Sequence, residues 1–433
     1  MRQLREMGLA DDDGRSDIDI LCLNMTYPLV PDEIVEFARD KDRVLILEEG
    51  NPAYMEQQAL CFIVDAGLST RIDGKNYLPE VSEYTGEVLA SGLGRYFTEN
   101  GGNILDLETV RERMERMERV RAAAGALMEA PLPPRQPIFC TGCPERPVFG
   151  AIKLAEREVG KVHVSADIGC HAFATFAPFN QGNSILGYGL SLASMAAVTP
   201  MQERRSLAIM GDGSFWHNGL QTGVASNLYN KGDGVLIIMN NGYTSTTGQQ
   251  VIPSSKHSEI FGTGAKIATK LEALGVKRLK TVRTYSVEMM VKTLKEAFTT
   301  TQKGLKVIIA DGEFMLARQR REWSEKAKVL KEGRRVEQAK FGVDAEVCTG
   351  DHSCIRLSGC PSLGVRANPD PLRKDPIAEV KQDCMACGLC GEMAHAAVLY
   401  PSFYRAARIH NAGWFERRLH GLRSRVIAAM AGV

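Results

Sequence analysis

Two short runs in this chain carry the residue types that a cation and a diphosphate would need. Leu207-Ala208-Ile209-Met210 reads as a strand running into Gly211-Asp212-Gly213-Ser214, and 26 residues separate Ser214 from Asn241. There a second apolar run, Leu236-Ile237-Ile238-Met239, ends in Asn240-Asn241-Gly242-Tyr243. The spacing places an aspartate and an asparagine at the ends of two strands with a helix between them. A carboxylate and an amide oxygen are hard ligands that suit Mg²⁺, whose octahedral shell is completed by phosphates and water. The glycines let backbone N–H groups approach a diphosphate that a Cβ would block.

Cysteine is the second chemical signal. There are 11, and six fall between Cys348 and Cys390. Clustered cysteines in a long chain point to metal more than to a disulfide scaffold. Cys384, Cys387 and Cys390 form a C-x2-C-x2-C run, with Cys360-Pro361 upstream. In the bacterial ferredoxin pattern such a run and a distant Cys-Pro together hold a four-iron, four-sulfur (4Fe–4S) cluster. Zinc also takes four thiolates, but the double spacing of two favours iron–sulfur. Cys348 and Cys354 stand at wider spacings, and Tyr400-Pro401 occupies the place of a second Cys-Pro, so one cluster is expected in this tail. A third group, Cys140, Cys143 and then Cys170 after Gly169, reads either as a C-x2-C turn near a buried thiol, as a redox pair, or as a further cluster. Cys22 and Cys61 lie in apolar runs and read as buried thiols.

Positioning these groups requires an α/β frame. Strands are expected at Val162–Ala166, Leu207–Met210, Val235–Met239 and Val307–Ala310, with helices at Gly219–Asn230 and Val287–Thr299 between them. That is an open parallel sheet with ligands at the carboxyl ends of its strands. Before it, Asp17–Leu23 and Arg43–Leu47 read as strands, the second buried, and Pro31–Arg39 and a stretch from Pro52 as helices. A helix from Leu107 runs to the linker Pro131–Pro134. After the sheet, a basic helix spans Arg318–Arg335 and reads as a solvated linker; a docking patch for an acidic partner is the lesser reading. The domains are therefore expected at 1–80 (small α/β unit), 81–134 (helical linker), 135–325 (cofactor domain) and 326–433 (linker helix, iron–sulfur domain and Arg-rich tail).

Composition excludes other classes. Of 433 residues, 44% are apolar and 24% charged, and 53 basic against 52 acidic residues leave a net charge of +1. Neither nucleic acid nor a membrane surface is advertised. No apolar run reaches membrane-spanning length and the N-terminus lacks a signal-peptide core, so a cytoplasmic location is expected.

The two runs around Asp212 and Asn241 resemble the thiamine diphosphate motif. On that resemblance Asp212 and Asn241 bind Mg²⁺ by side chain and Tyr243 by its carbonyl, while Gly211, Gly213 and Ser214 touch the diphosphate. The whole chain resembles the thiamine-binding subunits of indolepyruvate:ferredoxin oxidoreductases, within the 2-oxo acid:ferredoxin oxidoreductase family. The resemblance runs through "LCLNMTYPLVPDEIVEFARDKDRVLILEEGNP", "FCTGCPERPVFGAIK", "ADIGCHAF", "GDGSFWHNGL", "CTGDHSCIRLSGCPSL" and "CGLCGEMAHAAVLYPSFYR". It implies a transketolase-like thiamine domain, a preceding unit like a transketolase C-terminal domain, and a ferredoxin-like tail. The implied reaction is oxidative decarboxylation of a 2-oxo acid, here an arylpyruvate, to acyl-CoA. The implied partners are ferredoxin, a β subunit, CoA and the oxo acid. Gly169 and Cys170 are placed at the cofactor, and Thr246 and Thr247 near thiamine and substrate.

Three departures stand out. Glu145 replaces a histidine common in relatives. Phe314, ending "KVIIADGEF", replaces the fourth cysteine of a cluster otherwise made by Cys140, Cys143 and Cys170. Relatives also begin with a pyrimidine-binding domain whose glutamate activates thiamine; this chain is expected to start after it and to need such a domain from another chain. Glu48 and Glu49 are candidate substitutes, but a solvated strand end is the plainer reading. The rival function is a catalytically incomplete remnant serving as an electron-transfer or scaffold subunit.

Overall fold

The computed structural model describes all residues except 12, 51, 102–106, 129, 131–135, 257–263, 400–401 and 432–433. The expected linker Pro131–Pro134 and the Tyr400-Pro401 position therefore lie outside the described residues. The chain divides into two compact units, Met1–Pro134 and Arg135–Val433.

In the first unit, β1 (Arg43–Leu45) pairs in parallel with β2 (Arg71–Asp73), joined by helix Tyr54–Asp65. Helix Pro31–Ala38 starts on a proline, whose missing N–H costs nothing in a first turn. Helices Gly86–Asn100 and Leu107–Ala126 close a core with the N-terminal helix, in which Leu4, Met7, Leu93, Phe97 and Val110 are buried. Two expectations are corrected here. Residues Asp17–Leu23 form no strand: Ile20 and Leu21 are exposed, and β1 takes its hydrogen bonds from β2. The Arg43–Leu47 run is half-buried, with Leu47 exposed.

The second unit is built on a six-stranded, wholly parallel sheet: β3 (Val164–Ala166), β4 (Ser184–Ile185), β5 (Leu207–Gly211), β6 (Val235–Asn240), β7 (Arg278–Arg283) and β8 (Lys306–Asp311), in spatial order β4-β3-β5-β6-β8-β7. Central strands buried on both faces read as continuous apolar runs, as "LAIM" and "VLIIM" do. Leu207 and Ile209 face a core with Ile152 and Leu294 of helices Arg146–Val159 and Val287–Thr299. Ala208 and Met210 face the opposite core with Leu192, Phe215 and Val224. Strand order reverses between β3 and β5, since β4 lies outside β3 while β5 lies on its other flank. A ligand crevice is expected outside the carboxyl ends at such a switch point.

The tail seats on the first of these cores. Leu357, Leu389 and Met393 are buried with Phe149 and Ile152. Its antiparallel ribbon joins β9 (Val336–Val343) to β12 (Phe403–His410), and a shorter one joins β10 (Leu363–Arg366) to β11 (Ile377–Val380). The basic helix spans Met315–Lys331 and stops before β9, rather than running to Arg335. Its charges are partly paired, Arg318 and Lys326 with Glu322 and Arg321 with Glu313. Among the described residues no helix is long and apolar enough to cross a membrane.

Candidate functional site

The turn after β5 converts a strand directly into a helix beginning at Asp212, which continues over Phe215–Ala225 as a π-helix. π-Helical turns are rare and cluster at functional sites. Asp212 is buried at this helix start. Its carboxylate accepts the Gly213 N–H at 2.9 Å and the Gly242 N–H at 2.6 Å, which ties the β5 turn to the β6 turn. Burial pushes the Asp212 carboxyl up to about 7, against the pull of those backbone donors. Such a group favours a cation at its side.

Around Asp212 lies a cavity of about 580 Å³, lined by Gly211, Gly213, Ser214, Asn241, Tyr243, Gly169, Cys170, Thr246, Thr247 and Glu145. Every sequence-predicted residue of the diphosphate and Mg²⁺ group therefore meets in one place, with Glu145 and the Thr246-Thr247 segment beside it. A Cβ at Gly213 would overlap Thr244 Oγ1 and stand 2.6 Å from Tyr188 Oη, so the backbone alone fits there. Asn241 is buried; its Nδ2 donates to Glu145 Oε1 at 3.2 Å and to Ser245 Oγ at 3.3 Å, and its Oδ1 accepts the Tyr243 N–H at 3.1 Å. Thr246 and Thr247 are exposed on the rim, where Thr246 Oγ1 lies 3.4 Å from Cys170 Sγ.

A buried ion chain behind the cavity has no counterpart in the sequence reading. His171 is paired with Asp167, and its Nδ1 lies 3.9 Å from Glu145 Oε2. Asp167 Oδ2 also accepts the Gly189 N–H at 3.0 Å. Burial works against His171 protonation, but Asp167 and Glu145 outweigh it and hold the imidazole above its ordinary value. Burial in turn raises Glu145. Tyr188, Trp216 and His217 also line the cavity. The one signal for this group was the position of Asp167 and His171 in a run after a strand.

The cysteines form two groups. Cys360, Cys384, Cys387 and Cys390 line a common cavity of about 20 Å³ together with Thr141 and Gly142. Cys140, Cys143 and Cys170 line another of about 20 Å³, where Phe314 stands with them beside Glu145 and Asn241. Among the described residues no three His, Cys, Asp or Glu side chains converge tightly enough to hold a metal ion. Cys348 and Cys354 pack instead against Ile377 and Ala378. Burial pushes the Cys390 thiol up to about 12 and Cys354 up to about 11. Cys22 and Cys61, expected to be buried, are exposed. Cys22 falls in the strandless segment, and Cys61 points away from the buried Ala59 and Ile63 of its helix.

Glu48 is not a solvated strand end, whereas Glu49 is exposed as expected. Glu48 is buried, and its carboxylate accepts the N–H groups of Tyr54 and Met55 at 3.0 Å and of Glu56 at 3.3 Å, so it caps helix Tyr54–Asp65. Glu49 accepts the Tyr84 N–H at 2.8 Å.

Comparison with known proteins agrees with this geometry. Residues 167–310 match the family model for the thiamine pyrophosphate enzyme, C-terminal TPP binding domain. Indolepyruvate oxidoreductase subunit IorA of Pyrococcus horikoshii is 26% identical over 397 residues, covering 88% of this chain and 56% of that protein. The subunit of the same name from Thermococcus kodakarensis is 26% identical over 400 residues, with the same coverage of 88% and 56%. The chain thus spans little more than half the length of these curated relatives. A solved 2-oxoglutarate:ferredoxin oxidoreductase from Magnetococcus marinus shows 16% identity and a TM-score of 0.35 over 42% of this chain and 64% of that one, a likeness too low to carry weight. The chain thus carries a thiamine pyrophosphate-binding match at its centre and is similar along 88% of its length to the indolepyruvate oxidoreductase subunits IorA.

Proposed function

We propose that this chain is the cofactor-holding part of a cytoplasmic 2-oxo acid:ferredoxin oxidoreductase that acts on an arylpyruvate such as indolepyruvate and yields an acyl-CoA. The observation that carries this reading is a sequence of three adjoining cavities. Asp212, Asn241, Cys170 and Glu145 share the large one; Asn241, Cys170 and Glu145 also line the second with Cys140 and Cys143; and the turn between those two cysteines, Thr141-Gly142, lines the third with the four tail thiols.

The residues present fit the implied groups. A buried carboxylate held near 7, an amide, and a glycine cradle at a helix start suit Mg²⁺ and a diphosphate. Asp212, Asn241 and the Tyr243 carbonyl would hold the cation, and Gly211, Gly213 and Ser214 the diphosphate. Four cysteines lining one cavity are a donor set for the wider span of a 4Fe–4S cluster in a ferredoxin-like tail, though not for a single metal ion. When bound, thiamine diphosphate supplies the electron sink for decarboxylation of the oxo acid. The chain's own residues do the rest. Asp212 ties two strand turns together, Glu145 and Ser245 orient Asn241, and Trp216 and Tyr188 wall the cavity. One-electron carriers are then needed, with ferredoxin as acceptor, and a β subunit and a pyrimidine-binding domain complete the catalyst.

The test is anaerobic purification of the chain alone and with co-expressed neighbours, followed by iron, sulfide and thiamine assay. Oxidation of arylpyruvates is then measured with CoA and an electron acceptor. Cofactor uptake with partner-dependent oxidation supports the reading. Iron uptake without oxidation under any partner favours an electron-transfer or scaffold subunit, a reading to which Phe314 among three thiols lends weight.

A further inference from the structure

Arg146 opens helix Arg146–Val159 and is fully buried. Among the described residues its guanidinium makes one hydrogen bond, from Nη1 to the Ser358 carbonyl at 3.2 Å; Nε and Nη2 are buried without a partner. Arginine keeps its charge in proteins. A buried, unpaired charge is strongly unfavourable, so this site calls for an anion. The neighbouring Glu145 does not supply it, because that carboxyl turns toward Asn241 and His171.

Arg146 instead holds the loop that leads into Cys360. The Ser358 it grips lies two residues before Cys360, and Ser358 Oγ accepts the Cys360 N–H at 3.3 Å. Four thiolates around iron and sulfide carry net negative charge. Each electron that such a centre accepts adds one more negative charge, with no bond made or broken and no proton required. A fixed buried cation stabilises the reduced form.

On the iron–sulfur reading above, we propose that Arg146 is the buried counter-cation of a cluster held by Cys360, Cys384, Cys387 and Cys390, raising its reduction potential. The test compares the full-length wild type, Arg146→Lys and Arg146→Met after anaerobic reconstitution. Iron and sulfide content, potentiometric titration followed by electron paramagnetic resonance, and thermal unfolding with and without the cluster are measured. Arg146→Met should shift the midpoint to lower potential, and Arg146→Lys should stay near wild type. Without the cluster, Arg146→Met should unfold no earlier than wild type, since it removes an uncompensated charge. A folded Arg146→Met chain that loses iron while Arg146→Lys keeps it also supports the proposal.

An unchanged midpoint in Arg146→Met overturns the proposal, as does an equal drop in both variants. So does a cluster-free Arg146→Met chain that unfolds early or fails to fold, which would make Arg146 a structural strut for the Ser358 loop. A wild-type chain that takes up no iron is a different result: it removes the iron–sulfur reading, and this proposal falls with it.

Discussion

Asn241 Nδ2 donates to Glu145 Oε1 at 3.2 Å, both side chains being buried. This bond joins the β6 turn to the residue preceding helix Arg146–Val159, and it fixes which way the Asn241 amide faces.

Glu145 is accordingly a positioning residue for Asn241. Glu145→Ala leaves Asn241 Nδ2 with Ser245 alone and should weaken Mg²⁺-dependent thiamine diphosphate binding about tenfold, the worth of one buried hydrogen bond. Glu145→Gln keeps an acceptor oxygen and should restore most of the affinity. Titration calorimetry distinguishes the two, and an alanine variant with wild-type affinity would refute the role.

The raised Asp212 carboxyl gives a pH signature to the cofactor-free chain. Its native value is about 7 against 3.8 for an unperturbed aspartate, so between those pH values the native state binds more protons than the unfolded one. Stability from this group is full below pH 3.8 and is lost as pH rises through about 7, on the order of a few kcal/mol. Mg²⁺ must displace that proton, so Mg²⁺ affinity should rise with pH up to about 7. Asp212→Asn should flatten both dependences in denaturant-unfolding and binding measurements, and a slope that persists would show another group to be responsible.

Phe314 shares its small cavity with Cys140, Cys143 and Cys170. Phe314→Cys removes the ring and adds a fourth thiol, and its backbone N–H remains bonded to the Asn241 carbonyl at 3.0 Å. Iron per chain should rise after reconstitution, while Cys387→Ser should lower it without affecting thiamine binding. Equal iron in wild type and Phe314→Cys would argue against a latent cluster site.

Glu48→Ala should cost about 1–2 kcal/mol, the range expected for losing a helix cap, because the first N–H groups of helix Tyr54–Asp65 lose their acceptor. Thiamine diphosphate affinity should not move. A variant with unchanged thermal unfolding but impaired binding would make Glu48 a cofactor residue after all.

What could be read from the sequence follows from how local each signal is. Helix Val287–Thr299 was legible to the residue, because its buried Val287, Met290 and Leu294 recur at helical spacing. The Asp212 and Asn241 turns were legible because two such turns end two apolar strands at a set spacing, a pairing far more specific than a glycine-rich turn alone. β7 went unread: Arg278-Leu279-Lys280-Thr281-Val282-Arg283 sits at a sheet edge, carries three basic residues and buries only Val282. β4 has only two residues and no period to detect. The Asp167–His171–Glu145 chain and the Glu48 cap depend on contacts made across turns. Residue type alone does not reveal such contacts.

Gly150 sits where helix Arg146–Val159 meets the tail. A Cβ there would collide with Met393 and stand 2.8 Å from the Leu357 carbonyl. Backbone meets side chain with no slack, on the same helix that begins at Arg146. Among the described residues, this contact leaves helix Arg146–Val159 and the tail no room to swing apart. The gap between the tail thiols and the Asp212 cavity is cast when the core sets, so any charge crossing it does so by tunnelling over a constant distance. Its rate would then answer to driving force and reorganisation, not to viscosity or domain diffusion.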